Sequence, residues 1–205
     1  MYYILSSIIG YLLGSIPTAY IVLHLIEGKD ITKEGTGNVG AMNTYEVTNS
    51  KFIGIIVLAV DALKGLLAVF LSMVILSPNE FIYPALALTF AVFSHCYNPW
   101  IKFNGGRGLA TAAGGTLLLI PVMPFLWLVI FGIIYFIKRE IIISNVAALI
   151  LTLVIILFTS NVYTLYVNPI ADQRFVALFT TGLMILILSK HFEPLQEIYF
   201  KKEVK

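Results

Sequence analysis

Two glycine-rich stretches carry most of the chemistry this chain offers: "KEGTGNVGAMNTYE" at 33–46 and "FNGGRGLAT" at 103–111. Glycine lets a backbone approach a ligand closely and turn consecutive N–H groups toward one point, which makes a nest for an anion. In the second stretch a helix expected to start near Gly108 adds unpaired N–H groups and a positive dipole end, and Arg107 adds a planar, permanently charged fork. Gly105, Gly106, Arg107 and Gly108 together therefore suit a phosphate. In the first stretch Gly35, Gly37 and Gly40 spell the G-x-G-x-x-G of a dinucleotide site, but the context is wrong. The polar "GKDITK" stands where a hydrophobic strand is needed, and Val60 stands where the ribose-binding acid would be. An ordinary surface turn is the alternative reading of either loop, and two such loops on one side of the protein weigh against it.

The rest of the chain decides what must hold these loops. Of 205 residues, 59% are hydrophobic and 12% charged, with a mean hydropathy of +0.93, far more apolar than a water-soluble domain. Continuous apolar runs occupy 2–26, 52–76, 81–96, 108–137, 141–160 and 175–189, and a helical crossing needs roughly 20 residues. Pro121 and Pro124 divide the fourth run into 108–120 and 122–137, since each removes a helical hydrogen bond. The expectation is an all-α integral membrane protein of seven transmembrane helices, a single polytopic domain over 1–205, with no internal repeat. Gly10, Gly14 and Ser15 allow close packing of the first helix, and Pro17 kinks it.

Lysine and arginine collect in cytoplasmic loops, which orients the helices. With the N-terminus outside and the C-terminus cytoplasmic, the inner side holds Lys29, Lys33, Lys51, Lys102, Arg107, Lys138, Arg139, Lys190, Lys201, Lys202 and Lys205. Only Arg174 falls outside, and Lys64 lies within a span. Both glycine loops then face the cytoplasm, as do Ser144 and His191. The net charge of +2 is a topology signal with no basic arm, and no nucleic-acid partner is expected. The first run lacks a charged leader and a clear cleavage site, so it is read as a helix and not a signal peptide.

The single cysteine, Cys96, excludes an intrachain disulfide and a cysteine metal cluster; its expected place is buried near a helix end. No metal or cofactor is expected. Asp61 and Lys64 lie near the middle of an apolar run, three residues apart on one helix face. Intramembrane charges of this kind face a bundle interior or a cavity, so the pair either fixes helix packing or lines a substrate cavity. His24, Trp100 and Tyr135 read as interface anchors.

Taken in order, "GSIPTA" at 14–19, "GTGNVGAMN" at 35–43, "DALKG" at 61–65, "SH" at 94–95, "KFNGGRGLAT" at 102–111, "SNVAA" at 144–148 and His191 resemble the bacterial acyl-phosphate:glycerol-3-phosphate acyltransferases, the PlsY family. The resemblance spans essentially the whole chain. It implies a seven-helix enzyme of the bacterial inner membrane, with its active site facing the cytoplasm. The reaction implied moves a fatty acyl group from acyl phosphate to the 1-hydroxyl of glycerol 3-phosphate, giving lysophosphatidic acid, with the acyl chain in a groove open to membrane lipid. It also implies that Thr36, Gly37, Asn38, Gly40 and Asn43 hold one phosphate or the reacting carbonyl. Gly105, Gly106, Arg107 and Gly108 would hold the other phosphate, and Ser144 and His191 the acceptor. His95 and His191 are the titratable candidates for proton transfer, with hydrogen-bonded structural histidines as the alternative. An acyl phosphate has a good leaving group, so positioning and charge neutralisation can carry most of the acceleration.

The chain departs from the family pattern at named positions. Thr36 replaces serine and Arg107 replaces lysine, preserving a hydroxyl and a charge. Met42 stands for threonine, Glu46 for arginine, Asn98 for proline, Asn104 for lysine, Asn145 for a second serine, and Pro194 and Glu197 for asparagine and arginine. A divergent or inactive paralogue is one alternative these raise. Another is a membrane transporter of phosphorylated anions, which would place helix breaks at mid-depth in paired repeats. No motif fixes an oligomeric state.

Overall fold

The computed structural model describes residues 1–77, 79–159 and 166–203. Ser160, the end expected for the fifth run, and Lys205 lie outside the described residues. Among the described residues every regular element is helical. The first apolar run is two helices, α1 (Tyr2–Gly14) and α2 (Thr18–Glu27). α3 (Ala41–Thr48) follows the first glycine loop, and α4 (Lys51–Ile75) is the longest helix. α5 (Ile82–Cys96) leads into the second loop and α6 (Leu109–Leu119) leaves it. α7 (Val122–Lys138), α8 (Ile141–Phe158), α9 (Gln173–Ser189) and α10 (Phe192–Glu203) complete the chain.

The seven expected segments each meet a helix, but their lengths differ. Among the described residues three spans are long and apolar enough to cross a membrane, Tyr2–Glu27, Lys51–Ile75 and Ile141–Phe158, and a bent pair over α9 and α10 makes a fourth if counted as one span. α6 and α7 are shorter apolar helices. The break between them falls at Ile120 and Pro121, as expected. Pro124 breaks nothing: it sits in the first turn of α7, where an absent N–H leaves no intrahelical bond unmade. Two helices were not expected. α3 occupies the polar stretch read as loop, and α10 occupies the charged tail.

Small residues set the packing. A Cβ on Gly10 or Gly14 would fall on the Ala87 and Ala91 carbonyls of α5, and one on Gly65 or Gly114 would fall on backbone between α4 and α6. Both helix pairs therefore touch backbone to backbone, as small-residue packing in membranes permits. Around these contacts Leu88, Leu119, Leu149 and Leu183 close a core shared by α5, α6, α8 and α9. Large apolar side chains such as Phe52, Phe125, Phe136 and Leu178 point outward, the pattern of a helix bundle in lipid. His24, also exposed, stacks on Tyr20 at 6.1 Å between ring centres.

The break at Ser15–Pro17 is tied down by neighbours. α1 ends at Gly14 and α2 starts at Thr18, so the Ser15 and Ile16 carbonyls at the break lack the i+4 amide partners of a continuous helix. Asn98 Nδ2 donates to the Ser15 carbonyl at 2.7 Å, and Lys64 Nζ donates to the Ile16 carbonyl at 3.0 Å. Lys64 also pairs with Asp61 at 2.8 Å. Each of the two is only 3% exposed, so of the two readings the packing role is the one realised.

Candidate functional site

The first glycine loop is folded on itself by Asn43, which is 2% exposed. Its Oδ1 accepts from the Thr36 amide at 2.8 Å, and its Nδ2 donates to the Glu34 and Asn38 carbonyls at 3.0 Å each. Gly35 and Gly37 take positive φ of 57° and 70°, a conformation that favours glycine. The Gly37 amide bonds the Glu34 carbonyl, the Gly40 amide bonds the Asn38 carbonyl, and the Asn38 amide reaches the Thr36 hydroxyl. The amides of 36, 37, 38 and 40 are thus consumed inside the loop, which differs from the nest expected there. What this loop offers outward is the Thr36 hydroxyl, the Asn38 side-chain carboxamide and bare backbone at Gly37.

The second loop keeps three of its backbone donors free among the described residues. Gly106 donates its amide to the His95 carbonyl at 3.1 Å, while the amides of Gly105, Arg107 and Gly108 bond no other described residue. Gly108, at φ 82°, caps α6, whose first-turn amides are unpaired by construction. The Arg107 guanidinium is pushed down by burial and drawn up by the charges of Glu46 and Glu197; it stays protonated because arginine starts so high. Gly106 is where everything converges. A Cβ there would strike the His95 ring and sit 2.7 Å from the Val39 carbonyl of the first loop.

The two loops line one polar cavity of about 400 Å³. Thr36, Gly37 and Asn38 form one wall, Asn104, Gly105 and Arg107 another, and Lys190 with Glu193 and Glu197 of α10 the third. Beside it runs an apolar groove of about 530 Å³, lined by Tyr45, Leu58, Ala113, Trp127 and Phe131. Three chain segments pass from one compartment to the other within three residues. Asn38 lines the cavity and Ala41 the groove; Arg107 the cavity and Leu109 the groove; Ile142 the cavity and Asn145 the groove. Gly40, Gly108 and Ser144 lie between the members of these three pairs.

A family model described as glycerol-3-phosphate acyltransferase matches residues 4–201. The chain belongs to the glycerol-3-phosphate acyltransferase family. It is 32% identical over 201 residues to the glycerol-3-phosphate acyltransferase of Bacillus subtilis, covering 98% of this chain and 96% of that one. A second relative, glycerol-3-phosphate acyltransferase 2 of Moorella thermoacetica, is 42% identical over 132 residues, 62% of this chain and 66% of that protein; the matched stretch is thus just under two thirds of that relative's length. Among solved structures, PlsY, an integral membrane glycerol 3-phosphate acyltransferase in its glycerol 3-phosphate form, superposes with a TM-score of 0.80 at 24% identity, over 97% of this chain and 92% of that one. That likeness is one of fold. It agrees with a multi-pass membrane protein.

Of the residues singled out from the sequence, the cavity gathers Thr36, Gly37, Asn38, Gly105 and Arg107. Others stand behind its walls. Asn43 braces the first loop, and Gly106 is the contact between loops. Ser144 is buried with its hydroxyl donating to the Glu140 carbonyl at 2.6 Å. His191 is buried beside Lys190, with Nδ1 2.9 Å from the Ile187 carbonyl and Nε2 without a partner among the described residues. His95 is buried between Asp61 and Gly106. Sequence reasoning missed Lys190, Glu193 and the groove-lining Trp127 as site residues. Glu193 and Glu197 share one face of α10, but the charged tail carries no apolar pattern that marks it as a helix.

Proposed function

We propose that the protein transfers a fatty acyl group from acyl phosphate to the 1-hydroxyl of sn-glycerol 3-phosphate, giving lysophosphatidic acid. The observation that carries this is a polar, cation-bearing cavity next to an apolar groove, with neighbouring residues of segments 38–41, 107–109 and 142–145 lining first one and then the other. An acyl phosphate has that same division, a dianionic head joined to a hydrocarbon tail at the reacting carbonyl. The acyl chain lies in the groove, its carbonyl at the junction, and the acceptor phosphate in the cavity against Arg107, Lys190 and the free amides of the second loop. Thr36, Asn38 and the backbone at Gly37 and Gly40 complete the head site, shaped by Asn43. Ser144 helps seat the acceptor.

In the reaction the acceptor oxygen bonds to the acyl carbon, the bond from that carbon to the phosphate oxygen breaks, and the hydroxyl proton is taken up. His191 is suited to receive it. Its Nδ1 faces a carbonyl and is therefore the protonated nitrogen, which leaves a lone pair on the unpartnered Nε2. The Thr36 hydroxyl and the Asn38 side chain of the head site face the departing phosphate and offset the charge growing on it.

Incubating purified protein with labelled glycerol 3-phosphate and each donor in turn tests this. Lysophosphatidic acid is expected from acyl phosphate, and little or none from acyl-CoA, because the short polar cavity offers no surface for a nucleotide. A preference for acyl-CoA would overturn the donor, and no product from either would overturn the activity.

The same reading places the enzyme in the bacterial inner membrane as a single seven-helix domain, N-terminus outside, with the cavity open to the cytoplasm. The lysine and arginine distribution supports this orientation. With Cys96 replaced, a single cysteine at Thr36 should label only from the cytoplasmic side and one at Asn168 only from outside. The reverse pattern would sink the orientation.

A further inference from the structure

Buried side chains on two helices form a continuous line from the break in the first apolar segment to the second glycine loop. Lys64 of α4 holds the Ile16 carbonyl at 3.0 Å and pairs with Asp61 at 2.8 Å. Asp61 Oδ1 lies 3.8 Å from Nδ1 of His95 on α5. The opposite edge of that ring, Nε2, is the atom a Cβ on Gly106 would strike, and the His95 carbonyl accepts the Gly106 amide at 3.1 Å. A second tie runs beside it, since Asn98 holds the Ser15 carbonyl and the Trp100 indole donates to the Ser15 hydroxyl at 3.2 Å. None of Asp61, Lys64 or His95 lines the cavity or the groove. Stability alone does not account for the ion pair, because apolar side chains of similar volume commonly replace such a pair without loss.

We propose that Asp61, Lys64 and His95 are positioning residues for the phosphate site. They fix the height of Gly106 relative to the helix break, and through it the aim of Arg107 and of the free amides that follow. A binding constellation must be held to within about 0.5 Å by groups that are themselves locked. The glycines of the second loop supply no such rigidity of their own, and His95 supplies it from beneath. The inference rests on the polar cavity being the phosphate site.

The test titrates inorganic phosphate calorimetrically into wild type, Asp61→Asn/Lys64→Met, Arg107→Ala and the combination of all three changes. Removing both charges together leaves no unpaired buried ion and no change in net charge. Phosphate affinity is expected to fall by about tenfold in Asp61→Asn/Lys64→Met, but by less than about twofold when Arg107 is already alanine, because a misaimed guanidinium and a missing one are the same loss. A purely structural role would give no such non-additivity. Affinity within about twofold of wild type, or losses that simply add, would overturn the proposal. Should that variant fail to fold, His95→Gln is taken through the same cycle with the same criteria. Acyl transfer measured on the same wild-type preparation separates the two readings. Phosphate binding without transfer overturns the enzymatic reading and leaves the cycle to judge positioning, and absence of phosphate binding overturns both.

Discussion

Gly106→Leu abolishes acyl transfer, with kcat/KM falling by at least about 10²- to 10³-fold, the loss seen when a single donor to a developing oxyanion is removed. The space a side chain needs is already filled: a Cβ at this position meets the His95 ring and the Val39 carbonyl at once. Either the second loop lifts away from α5 or the first loop is pushed off the second, and in both cases the wall holding Arg107 moves. The helices do not depend on this contact, because α4–α6 and α1–α5 are held by Gly65, Gly114, Gly10 and Gly14 elsewhere. Helical circular dichroism and elution volume in detergent should therefore match wild type. Gly132→Leu is the control, since nothing lies within 4 Å of a Cβ there, and its activity should be unchanged. Normal kinetics in Gly106→Leu would remove the second loop from the active site.

Arg107→Ala should lower kcat/KM for glycerol 3-phosphate by about 10- to 100-fold, since a hydrogen bond to a charged group is worth about 1.5–3 kcal/mol and 1.4 kcal/mol is about tenfold. The loss should appear mainly as a raised KM, because the acceptor phosphate carries the same charge before and during the transfer. Arg107→Lys should lose less, keeping a point charge without the planar fork. Glu197 predicts the opposite sign. It lines the same cavity and its charge acts on Arg107, so it opposes a dianionic acceptor. Glu197→Gln should lower KM by about two- to fivefold, the scale of a screened charge at partial exposure, and raised salt should shrink the difference. A KM unchanged in both Arg107→Ala and Glu197→Gln would take the acceptor phosphate out of this cavity.

Much of this protein was legible before any coordinates. Apolar runs placed the helices because a membrane segment needs continuous hydrophobicity, and Pro121 marked the division of the fourth run because proline cannot continue a helix. Glycine spacing and Arg107 named both loops, since few other residue types let backbone meet an anion. The Asp61–Lys64 pair was readable from a spacing of three in apolar surroundings. Tertiary structure alone decided how these parts act. Sequence carries no signal for which amides a loop consumes internally, so only the fold shows that Asn43 closes the first loop while the second leaves the amides of Gly105, Arg107 and Gly108 unbonded among the described residues. The helical tail that brings Glu193 and Glu197 to the cavity has too weak an apolar pattern to declare itself, and its place depends on the bend after α9, where Lys190 sits. That three segments far apart along the chain, 38–41, 107–109 and 142–145, each line both the cavity and the groove is a property of helix packing, because contacts between distant segments are fixed only when close-packed side chains exclude every other arrangement.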